Sequence, residues 1–174
     1  MKRVGILSDT HGYWDERFTS YFKECDEIWH AGDIGSYSVA DKLNNIAMLR
    51  AVYGNCDGYD IRRIYPEINR FKIENSEVLI KHIGGYPGRY DKLAKQSLVQ
   101  NTPNLFVCGH SHILKVQYDK EFNMLYINPG AAGLQGWQQF RTLILLTVEG
   151  DKFSELDVVE IPKSSVNLLL ENTK

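Results

Sequence analysis

The sequence predicts an α/β fold with two β-sheets, because strands and helices alternate before residue 65 and strands follow one another in pairs after it. Alternation of strand and helix is the βαβ pattern of a parallel sheet. Paired strands without helical crossovers predict a second, mostly antiparallel sheet packed on the first. The 174 residues, 43% of them hydrophobic and 24% charged, are enough for one domain, which we expect to span residues 1–174.

The parallel part of the fold is predicted from apolar runs separated by amphipathic segments. Its strands are RVGILSD (3–9), EIWHAGD (27–33) and MLRAVYGN (48–55). Helical spacing of apolar residues predicts helices over DERFTSYFKEC (15–25), with Asp15 as N-cap, and over YSVADKLNNIA (37–47). The carboxyl ends of the three strands should lie along one edge of the sheet.

The later part of the chain is predicted to contain three hairpins and one helix. The paired strands are INRFKIE with EVLIKHI, ILKVQYD with NMLYINP, and LILLTVE with FSELDVVEI, turning at Asn75-Ser76, Lys120-Glu121 and Gly150-Asp151. The helix DKLAKQSLVQ (91–100) precedes a further strand, NLFVCG (104–109). The last segment, SSVNLLLENTK (164–174), is interpreted as a short terminal helix or a frayed tail.

Charge and composition argue against several classes of partner. The formal net charge is −2 and no Lys/Arg run occurs, so we expect no basic patch for nucleic acid and no attraction to anionic membranes. The longest strongly apolar stretch, LILLTV (143–148), is far shorter than the roughly 20 residues that span a bilayer. Three irregularly spaced cysteines without a CxxC pair fit neither a disulfide framework nor a thiolate zinc site. These features favour a cytoplasmic protein that is not bound to a membrane.

Polar side chains follow the strands at the points where the strands end. They are Asp9 and His11, Asp33, Asn55 and Asp57, His82, and His110 and His112. In open α/β sheets the loops at this edge converge, so residues distant in sequence can meet there. Glycines precede three of these groups, at Gly32, Gly54 and Gly109, and glycine permits close approach of the chain.

These clusters predict a metal site. Alternate residues of an extended chain point the same way, so His110 and His112 can aim two imidazoles at one point. A single Asp at a strand end is most often a turn or helix-cap residue. Five clusters at the same edges, built from Asp, Asn and His without a thiolate, are better explained by metal ligation.

The same residues resemble the motif set of a known family. DTH (9–11), GDIG (32–35), GNCD (54–57), His82 and GHSH (109–112) resemble, in order and spacing, the motifs of the calcineurin-like metallophosphoesterases. The small size of the chain and the stretch INPGA (127–131) resemble the compact bacterial and archaeal phosphodiesterase branch. The resemblance implies an α/β fold in which a two-sheet β-sandwich is flanked by helices.

The resemblance also implies a dinuclear metal centre and a set of ligands. One ion would be held by Asp9, His11, Asp33 and His112, and the other by Asp33, Asn55, His82 and His110. Asp33 would bridge the two ions, and Asp33, Asn55 and His110 are the predicted catalytic residues. The two divalent cations could be Mn, Fe, Zn, Ni or Co, because sites of oxygen and nitrogen donors do not fix the metal.

The assignment of His82 has an alternative in His30. The residues that flank His82, Lys81 and Ile83, depart from the usual pattern of the family. His30 lies inside EIWHAGD, and we interpret it as a core histidine or one that supports a ligand. Asp57 is likewise expected to orient a ligand rather than to bind metal.

The implied function is a metal-dependent phosphoesterase acting on a small-molecule phosphate ester. Two ions would lower the pKa of a bridging water, and the resulting hydroxide would attack phosphorus in line. A phosphodiesterase is favoured, because Cys56 stands where the phosphatase branches have the histidine of Gly-Asn-His, and a thiol is a poor proton donor near neutral pH. GDIGSYS also lacks the phosphate-binding arginine that often follows the second motif, although Arg62, Arg63, Arg89 or Arg141 could supply one.

Two rival functions come from the same superfamily. The retromer small subunit uses this fold as a non-catalytic interaction scaffold, but it usually shows eroded metal motifs, whereas every ligand position is filled here. A double-strand-break repair nuclease is disfavoured by the short chain and the absence of a basic face. The sequence leaves open the natural substrate and whether the chain forms a homo-oligomer.

Overall fold

A computed structural model describes residues 1–163, and its first third alternates between strands and helices as the sequence predicts. The elements are β1 (Lys2–Leu7), α1 (Arg17–Phe22), β2 (Glu27–His30), α2 (Tyr37–Ile46) and β3 (Met48–Ala51). β1, β2 and β3 pair in parallel, so their carboxyl ends share one edge. The segment 164–174, for which a terminal helix or tail was expected, lies outside the described residues.

Asp15 stands at the N-terminus of α1 and caps it as predicted, and its carboxylate has further partners. Although the helix is bounded at Arg17, Oδ1 of Asp15 accepts the backbone amide of Arg17 over 3.0 Å, which is the hydrogen bond of an N-cap. The same carboxylate accepts hydrogen bonds from the guanidinium of Arg17 and lies 2.8 Å from Nη1 of Arg141, which is fully buried. The need to pair a buried guanidinium explains why Asp15 faces inward.

A short helix that the sequence did not predict follows β3. It is α3 (Tyr59–Ile64), and Ile61 is the residue that it buries. The chain continues through β4 (Ile68–Ile73) and β5 (Ser76–Lys81), which form the first predicted hairpin. One buried apolar side chain in six residues is too little to create a helical pattern in the sequence.

The middle of the chain adds a small ribbon, a helix and a strand. The ribbon consists of β6 (Gly85–Tyr86) and β7 (Arg89–Tyr90). Asp91 then caps α4 (Lys92–Gln100) by accepting hydrogen bonds from the amides of Leu93 and Ala94. β8 (Leu105–Val107) follows and enters the sheet of β4 and β5.

The second sheet is mixed, so the expectation of a mostly antiparallel sheet is wrong. Its last strands are β9 (Leu114–Asp119) and β10 (Met124–Pro129), and its order is β4-β5-β8-β10-β9. The outer pairs are antiparallel, whereas β8 is parallel to both β5 and β10. The crossover through α4 places β8 beside β5 and gives these strands a common direction.

The third predicted hairpin forms but joins the first sheet. It consists of β11 (Phe140–Glu149) and β12 (Lys152–Pro162), and β11 pairs antiparallel with β1 in the order β12-β11-β1-β2-β3. Successive residues of β11 are buried on opposite faces of the sheet: Leu143 packs beneath the helices, and Ile144 packs between the two sheets. A strand that is buried on both faces takes an inner position in a sheet.

The apolar residues divide the molecule into four layers. One cluster, which includes Ile6 and Val107, fills the space between the two sheets. A second, which includes Phe22 and Leu43, packs α1 and α2 on the first sheet, and a third, which includes Leu98, packs α4 on the second. The expected two-sheet sandwich flanked by helices is confirmed. No helix within residues 1–163 is long and apolar enough to cross a membrane.

Candidate metal centre

The predicted site residues lie in loops that leave the carboxyl ends of strands in both sheets. Asp9, His11, Asp33 and Asn55 follow strands of the first sheet, whereas His82, His110 and His112 follow strands of the second. The two groups meet across the sandwich, because the amide of His110 donates to Oδ2 of Asp9 over 3.1 Å. The convergence expected from the sequence is therefore present between two sheets rather than within one.

Two carboxylates face three imidazoles at the centre of this convergence. Oδ2 of Asp33 lies 3.3 Å from Nε2 of His82 and 3.8 Å from Nε2 of His11. Oδ1 of Asp9 lies 3.2 Å from Nε2 of His112 and 4.0 Å from the Nε2 atoms of both His11 and His82. Asp33 thus contacts one histidine from each sheet, the position that a bridging ligand requires.

Asn55 and His110 lie beside this cluster and are exposed. The Asn55 amide donates to Sγ of Cys56 over 3.3 Å, and the amide nitrogen of Cys56 donates to Oδ1 of Asp33 over 2.8 Å. The His110 ring packs edge-on against that of His82, with centroids 5.4 Å apart. These two predicted residues therefore border the cluster on its solvent side.

The backbone at the site adopts an unfavourable conformation repeatedly. Eight residues other than glycine among residues 1–163 have positive φ, and five of them are predicted site residues: Asp9 (55°), His11 (47°), Asp33 (53°), His110 (69°) and His112 (59°). The left-handed region costs an L-residue about 1 kcal/mol or more. Strain of this kind persists where surrounding structure imposes it, and its concentration here indicates a functional site.

Close packing around the carboxylates depends on two glycines. A β-carbon at Gly54 would lie 2.0 Å from Oδ1 of Asp33, and one at Gly32, where φ is +99°, would lie 2.6 Å from Nδ1 of His82. Both distances are shorter than any van der Waals contact. Gly54 and Gly32 therefore allow the second, third and fourth motifs to come together.

Asp57 holds two of the motif loops in place. Its carboxylate accepts hydrogen bonds from the backbone amides of Ile34 over 3.1 Å, Gly35 over 2.7 Å and Gly54 over 2.8 Å. These bonds join the loop after β2 to the loop after β3. The carboxylate oxygens of Asp57 are therefore occupied by amides of the loops that carry Asp33 and Asn55.

His30 and His82 differ in what their ring nitrogens contact. Nδ1 of His30 accepts the amide of Gly32 over 3.1 Å, and its Nε2 lies 2.9 Å from Oγ1 of Thr10, which donates to a backbone carbonyl. Both nitrogens of His30 are thus used inside the core, and burial lowers its pKa to about 4. Nδ1 of His82 lies 2.7 Å from the carbonyl oxygen of Ala31, so Nδ1 carries a proton and Nε2 is left for the cluster.

The cluster contains buried polar atoms that no hydrogen bond satisfies. Within residues 1–163, Oδ1 of Asp9 and Nε2 of His82 are buried and have no hydrogen-bond partner. Such groups are rare in folded proteins, because an unpaired buried polar atom costs about 1–3 kcal/mol. Carboxylate oxygens and imidazole nitrogens are ordinary donors for divalent transition metals, so the residues fit a metal site.

The pKa shifts of His82, His112 and Asp33 also fit a metal site. Burial opposes protonation of His82, but the carboxylates of Asp33 and Asp9 outweigh it and raise its pKa. The Asp9 carboxylate, 3.2 Å from Nε2 of His112, likewise raises the pKa of His112. Burial opposes ionisation of Asp33, yet His82 and the amide of Cys56 hold its pKa well below the usual value. The site stabilises ionised carboxylates and attracts positive charge.

Cys56 lies beside the predicted ligands. Its sulfur forms a group with ligand atoms of His11 and Asp33 in which all atoms lie within 4.8 Å of one another. Desolvation and the neighbouring Asp33 raise the pKa of the thiol, which favours the protonated form. Its place between Asn55 and Asp57 in GNCD was the available indication in the sequence.

Two mixed sheets between helices, with carboxylates and imidazoles converging at the strand ends, define an α/β sandwich with a metal-binding site. A family model described as the calcineurin-like phosphoesterase superfamily domain matches residues 1–151. The chain belongs to this superfamily of phosphate-ester hydrolases, as the motifs indicated.

Relatives and solved structures agree with this membership. A probable metallophosphoesterase of Methanothermobacter thermautotrophicus is 25% identical over 155 residues, which cover 86% of this chain and 87% of that protein. One of Methanocaldococcus jannaschii is 31% identical over 138 residues, covering 74% of this chain and 67% of that protein.

Two solved structures share the fold. A structure described as that of a novel archaeal phosphodiesterase has a TM-score of 0.68 and 23% identity, and the match covers 90% of this chain and 99% of that one. The structure of Vps29 of Entamoeba histolytica complexed with Zn²⁺ has a TM-score of 0.71 and 16% identity. That match covers 92% of this chain and 99% of that one.

Proposed function

We propose that the protein is a dinuclear-metal phosphodiesterase that hydrolyses a small-molecule phosphate diester. The observation that carries this proposal is the convergence of Asp9, Asp33 and three histidines around buried atoms that have no hydrogen-bond partner within residues 1–163. Divalent ions held there would supply Lewis acidity and water of lowered pKa. Hydrolysis forms a bond from water oxygen to phosphorus and breaks one ester bond, and the departing alcohol takes a proton.

The proposed ligands form two sets that share Asp33. One ion would be held by Asp9, His11, Asp33 and His112, and the other by Asp33, Asn55, His82 and His110. The distances from Asp33 to His11 and to His82 support a bridging role for its carboxylate. The exposure of Asn55 and His110 on the solvent side supports their role in contacting the entering phosphoryl group. The satisfied nitrogens of His30 favour His82 as the ligand.

A preference for diesters is supported by Cys56 and by the arginines near the site. The thiol of Cys56, whose pKa is raised, is a weak general acid, so an alcohol that leaves readily is required. Two of the four candidate arginines are already engaged: Arg62 donates to the carbonyls of Asp57 and Gly54, and Arg141 is buried against Asp15. A monoester dianion loses more from a missing guanidinium than a diester monoanion does.

The test combines metal analysis with matched substrates. Purified protein is reconstituted with Mn²⁺, Fe²⁺, Co²⁺, Ni²⁺ or Zn²⁺, and hydrolysis of bis(p-nitrophenyl) phosphate and p-nitrophenyl phosphate is compared. We expect two metal ions per chain and a higher kcat/KM for the diester, and Cys56→His should shift the ratio towards the monoester. Metal-independent hydrolysis, or a native preference for the monoester, would contradict the proposal.

A second candidate is a non-catalytic scaffold, because the Vps29 structures share the fold and one of them is described as a Zn²⁺ complex. The filled ligand positions favour the enzyme. A protein that binds two metal ions and hydrolyses neither substrate would reverse this preference. We further propose that residues 1–174 form one domain and that the protein is cytoplasmic, which its cysteines favour.

A further inference from the structure

We propose that a cavity beside the metal centre binds the alcohol of the diester that is not displaced, and that it selects an uncharged alcohol with neighbouring hydroxyl groups. The inference rests on the proposed phosphodiesterase function and specifies its substrate class. It is carried by a buried lysine, Lys81, which the sequence analysis did not connect with binding.

The cavity is contiguous with the predicted metal ligands. It has a volume of about 280 Å³, and Asn55 and His82 form part of its wall. A phosphorus atom held at the metal centre would therefore carry one of its substituents into this space. The volume suits an alcohol between glycerol and a nucleoside in size.

Lys81 supplies hydrogen-bond donors to the cavity. Its side chain is 5% exposed, and its ammonium group donates to Oε1 of Glu67 over 2.7 Å. An ammonium group has three N–H donors, and this is the one hydrogen bond that the ammonium group of Lys81 makes within residues 1–163. Because a buried charge is stable only when it is well hydrogen-bonded, the remaining donors call for an acceptor from the cavity side.

Glu67 supplies the matching acceptor. Its side chain is 53% exposed at the cavity wall, and besides Lys81 it accepts the hydroxyl of Tyr53 over 3.3 Å. The hydrogen bond from Lys81 lowers the pKa of Glu67, so the carboxylate stays ionised. A diol fits this pair, because one hydroxyl can accept from Lys81 while its neighbour donates to Glu67.

The remaining lining favours an uncharged alcohol, because it offers a charged one no net attraction. Lys81 and Arg62 are balanced by Glu67 and Asp91, so the four charged residues in the wall sum to zero. Arg62 already donates to three loop carbonyls. Leu93 adds apolar surface against which a carbon skeleton can pack. An uncharged polyol or a ribose satisfies these conditions better than an anionic or purely alkyl substituent.

The experiment uses pairs of p-nitrophenyl phosphodiesters that differ in their hydroxyl groups. The glycerol ester is compared with the propyl ester, and the 5′-uridine ester with the 5′-2′-deoxyuridine ester, so that the two pairs distinguish a small polyol from a nucleoside. In at least one pair, we expect the ester that carries the diol to have a kcat/KM about tenfold higher than its partner, chiefly because its KM is lower. A tenfold difference is the usual effect of losing one hydrogen bond to a charged group.

Variants locate the preference in the cavity. Lys81→Met and Glu67→Gln should each abolish it, whereas Lys95→Met, which removes a surface partner of Glu121 outside the cavity, should retain it. If Lys81→Met does not fold, Glu67→Gln and Leu93→Trp provide the test. The larger side chain of Leu93→Trp should narrow the cavity and lower kcat/KM for the uridine ester. A native enzyme that cleaves all four esters without a diol preference would overturn the inference alone. A native protein that cleaves none of them would overturn the proposed function.

Discussion

At the scale of single residues, the centre of the site is a carboxylate that serves two sets of histidines. Asp33 contacts His11 from the first sheet and His82 from the second, and a backbone amide fixes its other oxygen. Its charge and its position are therefore both determined by the fold. The sequence predicted this role from GDIG, but it could not predict that Cys56 supplies the amide.

Asp33→Asn should weaken binding of both metal ions and lower kcat by at least about 100-fold, because an amide replaces the shared negative charge. Metal content by mass spectrometry and kcat on an aryl diester are the measurements. Asp41→Asn, on the exposed face of α2, is the matched control and should change neither. Two bound metals and normal turnover in the Asp33 variant would show that Asp33 is not the bridge.

His82→Ala and His30→Ala should have different effects on metal content and on stability. His82→Ala should lose one metal ion, because it removes a nitrogen that faces both carboxylates. His30→Ala should keep both ions but lose about 1–3 kcal/mol of stability, because the amide of Gly32 and the hydroxyl of Thr10 lose a buried partner. Urea unfolding and metal content separate the two, and the reverse pattern would make His30 the ligand.

At the scale of elements, sequence patterns predicted the strands better than their pairing. The apolar run in β11 indicated a strand, but this strand also pairs with β1, with Lys2 opposite Val148, and no local pattern encodes a pairing between such distant residues. The helix α3 escaped prediction because it buries Ile61 alone. Asp15 caps α1 as predicted, but its second partner, Arg141, is too remote in sequence for a local pattern to reveal it.

The loop after β3 should tolerate a methyl group at one glycine and not at another four residues away. Gly54→Ala should displace the Asp33 carboxylate and lower kcat and metal affinity, because the new β-carbon would lie 2.0 Å from Oδ1. Gly58→Ala is the control, since no atom lies within 4 Å of a β-carbon there and its φ is −81°. Equal activity of both variants would mean that the loop moves freely.

The ion pair between Asp15, which precedes α1, and Arg141 of β11 should make stability depend on acid pH. Although burial opposes ionisation, Arg17 and Arg141 lower the pKa of Asp15 to about 2 from an ordinary 3.8. The carboxylate therefore contributes about 1–2 kcal/mol above pH 4, a contribution lost as the pH falls towards 2. The stability gap between native protein and Asp15→Asn in urea should be present at pH 6 and shrink between pH 4 and pH 2. A constant gap would contradict the role of its charge.

At the scale of the whole molecule, the candidate metal centre draws its residues from both sheets of the sandwich. Asp9, His11 and Asp33 come from the first sheet, whereas His82, His110 and His112 come from the second. A change in the packing of one sheet on the other would separate the two halves of the site. Stability and metal binding should therefore be coupled.

Addition of the preferred metal should raise the melting temperature, and a chelator should reverse the rise. Free metal at 100 times its Kd contributes about 2.7 kcal/mol, which corresponds to roughly 5–10 °C for a chain of this size. Differential scanning fluorimetry measures the shift without any need for activity. Asp33→Asn should lose most of it, and an unchanged melting temperature in the native protein at saturating metal would argue against a site that joins the sheets.

The left-handed backbone of five site residues has a consequence for how such a sequence can change over generations. Glycine adopts positive φ without the penalty that histidine incurs, so His11, His110 and His112 each hold a backbone conformation that glycine would hold at lower cost. Selection for heat resistance alone would favour that exchange. Histidine at all three positions therefore implies selection for the imidazole side chain rather than for the durability of the fold.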